Sequence, residues 1–117
     1  MSLQIRSPAN QIKTLQYEHH AKVESKVPII IGSRVLIPLH DAALNTLAAY
    51  VYEAEISGAL KASGAVTINA PLYWDDTAKN VTTVAGSAPA NTKIGYALEA
   101  MGAADTTTGL IAYNAYA

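Results

Sequence analysis

The sequence predicts an all-β protein, a small compact barrel or sandwich of short antiparallel strands that follows a polar N-terminal arm. Beyond Val27, short runs rich in β-branched residues and Tyr alternate with Gly, Pro, Asn and Asp about every ten residues. The chain has 117 residues, 50% of them hydrophobic, which suits one domain with one core. We therefore expect a polar arm over residues 1–26 and a barrel-like core domain over residues 27–117.

Seven apolar runs are candidate strands of this core. They cover residues 27–31, 34–39, 66–68, 72–74, 80–84, 92–100 and 106–113. Asp75-Asp76 closes the fourth run with turn-forming residues, so the fourth and fifth runs are expected to form a hairpin. Small residues with Gly and Pro over 85–90 predict a loop.

Residues 41–56 fit two kinds of element. A helix would start with Asp41 as its N-cap and bury a stripe that includes Leu44. A strand would place Tyr50 and Tyr52 on one face and the intervening side chains on the other. Composition does not decide between the two interpretations.

The motifs that usually carry chemistry are absent or poorly spaced. The chain has no Cys, no P-loop and no G-x-G-x-x-G sequence. The pairs His19-His20, His40-Asp41 and Asp75-Asp76 are better explained by polar surface and turn chemistry than by a metal or catalytic site. We therefore expect no enzymatic activity, no cofactor and no metal.

Charge and hydropathy exclude two classes of partner. The net charge is −1, without the strong basic patch of a nucleic-acid-binding protein. The apolar runs are far shorter than the roughly 20 residues that cross a bilayer, and the N-terminus shows no apolar signal core. Residues 1–26 carry four basic and two acidic side chains, a net +2. They fit a solvated tail, an arm that docks on an acidic partner, or a strand that completes the barrel or pairs with a neighbouring copy.

Two C-terminal segments carry a resemblance to a known family. Residues 70–83 read APLYWDDTAKNVTT, and residues 91–100 read NTKIGYALEA, with AADTTT at 103–108. Together with LIPLHDAA at 36–43 and AYVYEAEI at 49–56, these segments resemble the capsid cement, or head decoration, proteins of phages. The resemblance covers residues 34–117.

The resemblance implies a structural role. Such a protein decorates and stabilises the capsid of a phage or prophage by binding the major capsid protein. It would be made in the bacterial host cytoplasm, reside on the virion capsid surface and self-associate, with a homotrimer favoured over a dimer. For residues 41–56 the resemblance implies a turn followed by a strand, with a short helical turn at 41–44. The alternative function is a small β-barrel module that binds a ligand or glycan on a platform of Trp74 and tyrosines.

For the structural role, we expect residues 1–26 to be a capsid-docking arm. Its lysines would meet acidic shell surface and its apolar side chains would supply the contacts that decide affinity. The lone Trp is a candidate core or interface anchor. The expected partner-binding residues are Ile12, Lys13, Leu15, Tyr17, Lys22, Lys26 and Trp74.

Overall fold

The computed structural model describes residues 3–86 and 90–116, and it confirms the all-β prediction. Within these residues a single turn of 3-10 helix, Ala9–Gln11, accompanies nine β-strands and no α-helix. The strands are β1 (Gln4–Ile5), β2 (Lys13–Glu18), β3 (Ile29–Ile31), β4 (Arg34–Pro38), β5 (Leu47–Ser57), β6 (Pro71–Asp75), β7 (Asn80–Thr82), β8 (Thr92–Ala97) and β9 (Ile111–Asn114).

All strand pairs are antiparallel, and the sheet curls into a half-barrel. The strand order is β3-β4-β5-β9-β8-β6-β7, and β1 and β2 pair with β5 outside this path. The long strand β5 thus pairs with four others along its 11 residues. Strand β5 is therefore the central strand of the sheet.

Residues 41–56 form a turn followed by a strand, as the resemblance implies, but the helical turn expected at 41–44 is absent. The Asp41 carboxylate accepts a bond from the Ser25 backbone N–H at 2.7 Å, which a helix N-cap would use for its own first turn. Ala42 makes a β-bridge to Val23, and this fixes an extended backbone. The strand β5 then starts at Leu47.

The core lies inside the curl of the sheet. Val51, Ala97 and Ile111 are fully buried, and the large rings of Trp74 and Tyr113 are 3% and 1% exposed. Trp74 and Tyr113, with Leu3 and other apolar side chains, surround a cavity of only about 10 Å³. The interior of the half-barrel is therefore filled by side chains.

Six of the seven predicted runs contain a strand, and the largest differences lie at 66–68 and 106–113. Residues 66–68 form no strand, since only Val66 pairs, through a bridge to Met101. The run predicted at 106–113 becomes a strand only at Ile111, because Thr106 and Thr108 bond to the backbone of residues 58–61 instead. The predicted loop at 85–90 lies partly outside the described residues, at 87–89.

The hairpin predicted around Asp75-Asp76 is confirmed. Strands β6 and β7 pair from Tyr73↔Thr82 to Asp75↔Asn80. The Asp75 carboxylate accepts the backbone N–H groups of Thr77 and Ala78, both at 3.0 Å, which is the turn chemistry that Asp supplies.

The N-terminal segment forms strands of the sheet, which is the alternative to the expected docking arm. Residues 4–5 and 13–18 are strands paired with β5, and Leu3 and Val23 are 3% and 2% exposed in the core. The expectation that the core closes without residues 1–26 is therefore wrong at these positions. The physical reason is that backbone hydrogen bonds to the long strand β5 hold these strands in the sheet, so the segment needs few apolar side chains to be ordered.

Candidate functional site

The side chains capable of metal or proton chemistry include the neighbouring pair His19-His20. Within residues 3–86 and 90–116, no three His, Cys, Asp or Glu side chains are grouped to hold a metal. The rings of His19 and His20 lie 4.4 Å apart. Partial burial, and secondarily the neighbouring His20, lower the pKa of His19. The helices of the described residues include none that could cross a membrane.

A shallow groove of about 720 Å³ runs over the sheet beside β2. Three of its side chains bond to each other, since Lys13 Nζ lies 3.6 Å from Glu53 Oε2 and Asn114 Nδ2 donates to Glu53 Oε1 at 3.1 Å. Lys13 and Glu53 are 58% and 40% exposed, so their ion pair contributes little to stability. The groove is lined by Ser7, Asn10, Gln11, Lys13, Glu53, Ala54, Glu55, Gly95, Tyr96, Ala112, Tyr113 and Asn114. Its volume falls within the range of small-molecule sites, although the groove lies open on the sheet rather than enclosed.

Three of the predicted partner-binding residues lie on strand β2, and Ile12 directly precedes the strand. Lys13 and Tyr17 are exposed, whereas Ile12 and Leu15 pack against the core. The Tyr17 ring meets the ring of the buried Tyr50 edge-on, with centroids 6.5 Å apart. Lys13 and Tyr17 are therefore the members of this group that present a large part of their surface to a partner.

The other two predicted lysines lie in the connection between β2 and β3. Lys22 is exposed. Lys26 is half-buried, and its Nζ donates to the Leu39 carbonyl at 3.2 Å and to Ser25 Oγ at 3.3 Å. Lys26 thus ties its own turn to the end of β4.

Trp74 belongs to the core and offers no ring to a partner. Its indole Nε1 donates to Asp76 Oδ1 at 3.1 Å, and Lys79 Nζ lies 2.9 Å from the same oxygen. The bond from Lys79 lowers the pKa of Asp76 most, against a rise from burial. The expected interface anchor at Trp74 is therefore corrected, and a ligand platform built on this ring is not available at the surface.

Sequence reasoning missed an apolar surface at one end of the β2–β5 ladder. Leu44 and Leu47 are each 57% exposed, and Tyr17 is 41% exposed. Leu47 pairs with Glu18 at the last position of the ladder, and the Asn45 backbone N–H donates to the His19 carbonyl at 2.7 Å. The signal was hidden because both leucines lay in the segment that fitted a helix or a strand. Tyr17 pairs with Ala48, the neighbour of Leu47, so its side chain lies on the other face of the ladder. We call Leu44 and Leu47 the apolar tip.

Comparison with known proteins identifies the family of the chain. The chain matches no curated protein and no solved structure. A family model described as "Phage cement protein" matches residues 8–112, which is most of the chain and includes strand β2. Cement proteins are structural components associated with phage capsids. The chain therefore belongs to the phage cement protein family.

Proposed function

We propose that this protein decorates the capsid of a phage or prophage and stabilises it by binding the major capsid protein. The match to the cement family over residues 8–112 carries the proposal. A structural role requires binding alone, so we propose that the protein is not an enzyme and takes no cofactor. It would be made in the bacterial host cytoplasm and reside on the virion surface, where repeated sites make modest contacts effective.

The proposed capsid contact is the exposed part of the N-terminal segment together with the apolar tip. Lys13 and Lys22 supply exposed positive charge, and the apolar tip supplies two large hydrophobic side chains. An apolar centre with a charged rim is the usual composition of a protein interface. Ile12, Leu15 and Lys26 would support this surface from within rather than touch the shell, because they already pack or bond inside the chain.

Self-association is the second part of the proposal, with a homotrimer favoured over a dimer by the family resemblance. Its support in the structure is the number of exposed apolar side chains. In the described part of the chain, nine large hydrophobic side chains are at least 40% exposed. Exposed apolar side chains of this kind are those that a contact between copies would bury.

The test uses capsids that lack this protein. Purified protein is added to such particles, bound protein is measured by sedimentation, and shell rupture is followed on heating. We expect saturable binding and a higher rupture temperature. The proposal fails if the protein neither binds nor protects the particles.

The contact surface is tested with matched variants. Leu44→Ser combined with Leu47→Ser should weaken particle binding at least tenfold while leaving the melting temperature almost unchanged, because both leucines are 57% exposed. Ile68→Ser is the control, because Ile68 is 60% exposed but lies outside the proposed surface. Equal binding by all three proteins would show that another surface meets the capsid.

A further inference from the structure

Strand β2 has an open hydrogen-bonding edge. It pairs with β5 on one side, and no backbone bond from any described residue reaches its other side. Leu15 is half-buried, and the other five residues of the strand are exposed. An exposed strand edge without partners is a template for another strand.

The pairing of strands at Tyr50 determines which edge of β2 each backbone N–H and C=O group faces. Leu15 of β2 and Pro38 of β4 both pair with Tyr50, so these strands flank β5 on opposite edges. The Ala49 carbonyl accepts the Leu39 N–H, which turns the backbone groups of Ala49 toward β4. Because successive residues face alternate edges, the groups of Tyr50 face β2 and those of its partner Leu15 face β5.

Gln16 follows Leu15, so its N–H and C=O point away from the sheet. The same alternation turns the backbone groups of Thr14 and Glu18 outward. Neither Pro nor Gly interrupts Lys13–Glu18. Thr14, Gln16 and Glu18 therefore each present an outward-facing N–H and C=O that can pair with a strand from outside the chain.

We propose that the occupant of this edge is β2 of a second copy, antiparallel, with a two-fold axis at Gln16. A two-fold axis normal to the sheet requires that residues whose side chains lie on the same face pair with each other. An axis at Gln16 meets this condition, because it pairs residues an even number of positions apart in the sequence. Thr14 then lies opposite Glu18 of the second copy, and Leu15 lies opposite its Tyr17. The three outward-facing residues of each copy form six backbone hydrogen bonds.

The side chains of β2 are complementary to their own copy in this register. Leu15 and Tyr17 form two symmetric apolar pairs on one face, the kind of cross-strand pair that stabilises sheets. The charged Glu18 meets the neutral Thr14, so no like charges stand directly opposite. A second copy therefore satisfies the edge without any repulsive pair.

The other ends of the sheet are less suited to such pairing. The outer side of β7 is covered, because Val81 exchanges backbone bonds with residues 60 and 62 at 2.8 Å. Strand β3 has only three residues and lies between Pro28 and Gly32, which shortens any ladder.

This inference rests on the self-association of the proposed function and assigns it to a dimer, in place of the trimer that the family resemblance favours. A two-fold contact pairs two copies, whereas a trimer needs a head-to-tail contact. Solution measurements without particles therefore separate failure of this interface from failure of capsid binding.

The experiment uses the absence of Cys in the natural chain. Single Gln16→Cys and Thr14→Cys variants of the full-length protein are oxidised and run on non-reducing gels. Across the proposed axis the two Cα atoms of position 16 lie about 5.5 Å apart, within disulfide range. Those of position 14 lie about 14 Å apart along the same ladder, so they cannot link.

We expect a covalent dimer from Gln16→Cys, none from Thr14→Cys, and recovery of cross-linking in the double variant Thr14→Cys/Glu18→Cys. Light scattering of the natural protein should give a dimer mass at micromolar concentration. A monomer, a trimer, or equal cross-linking of the two single variants would overturn the proposal.

A backbone variant tests the hydrogen bonds themselves. Gln16→Pro removes an N–H that faces away from β5, so the native ladder keeps its bonds while the ladder to a second copy loses two. We expect at least a tenfold weaker dimer with a circular dichroism spectrum like that of the natural protein. A dimer of unchanged affinity would exclude this edge, and the cross-linking result stands independently if the variant fails to fold.

Discussion

The hydroxyl of Tyr113 lies 2.9 Å from the carbonyl oxygen of Val51, and 2.5 Å from that of Val35. Tyr113 belongs to β9, whereas its two acceptors belong to β5 and β4. In the β4–β5 ladder, Ile37 pairs with Val51 and Pro38 pairs with Tyr50, and the ladder does not extend to Val35. One buried side chain thus joins three strands where the neighbour of β5 changes from β4 to β9, and this helps to fix the curl of the half-barrel.

Replacing Tyr113 by Phe should lower the free energy of unfolding by about 1–3 kcal/mol, because buried carbonyl groups lose their donor while the ring is kept. Urea unfolding followed by fluorescence measures the change. Tyr116→Phe is the control, since Tyr116 is 52% exposed and should change stability by less than about 0.5 kcal/mol. Equal effects of the two changes would contradict a special role for the Tyr113 hydroxyl.

The same residue predicts a dependence of stability on alkaline pH. Burial, and secondarily Tyr116, raise the pKa of Tyr113 above its ordinary value of 10.0. The stability that comes from the neutral hydroxyl is complete below pH 10 and is lost as pH rises further, because only the unfolded chain ionises. The contribution falls by about 1.4 kcal/mol per pH unit.

This pH effect is isolated by comparison with Tyr113→Phe. Between pH 9 and 11, the unfolding free energy of the natural protein should fall more steeply than that of the variant. Other groups, such as Tyr50, whose pKa burial also raises, contribute equally to both proteins. Parallel pH profiles would contradict the prediction.

The fold class was predictable from the spacing of β-branched runs and turn residues, because that pattern depends on local chemistry. The same chemistry explains the confirmed hairpin at Asp75. Strand β2 was not predictable in this way, since its partners lie about 35 residues away on β5. The prediction for residues 66–68 was wrong in the opposite sense: these residues favour a strand, but only Val66 has a bridge partner.

Gly95 explains one motif of the family resemblance physically. It has φ of +144°, and a Cβ atom there would stand 1.9 Å from the Ala112 carbonyl oxygen in β9. Gly95→Ala should therefore abolish folding or cost more than about 3 kcal/mol, since rigid backbone must move. Gly32→Ala is the control: its φ is +64°, but nothing lies within 4 Å, so it should cost about 1–2 kcal/mol. Soluble expression and thermal melting distinguish the two.

The candidate site was predictable only in part. Lys13, Tyr17 and Lys22 are at the surface as expected, because a polar segment keeps its long side chains in water. Trp74 was misassigned, since a lone Trp fits a core or an interface equally well until its neighbours in space are known.

Lys61 should contribute to stability through backbone acceptors alone. Its residue is 8% exposed, and its Nζ donates to the carbonyl groups of Ala62, Gly64 and Asp105 at 3.0, 2.7 and 3.4 Å. Lys61→Met keeps the aliphatic stem and removes these donors, so we expect a loss of about 1–3 kcal/mol in urea unfolding. Lys93→Met is the control, because the ammonium group of Lys93 bonds only at the exposed surface, to the Tyr96 hydroxyl. A neutral effect of Lys61→Met would show that water replaces the ammonium group.

Removal of residues 1–20 should prevent stable folding of the remaining chain. The deletion takes β1 and β2 from β5 and leaves a hole where Leu3 packs, 3% exposed, beside Trp74 and Tyr113. Leu3→Ala alone should cost about 2–4 kcal/mol through the cavity it creates, whereas Leu44→Ala, at a 57% exposed position, should cost less than about 0.5 kcal/mol. Circular dichroism and urea unfolding measure both effects. A truncated protein with unchanged stability would restore the independent arm, because it would show that the half-barrel closes without its N-terminal strands.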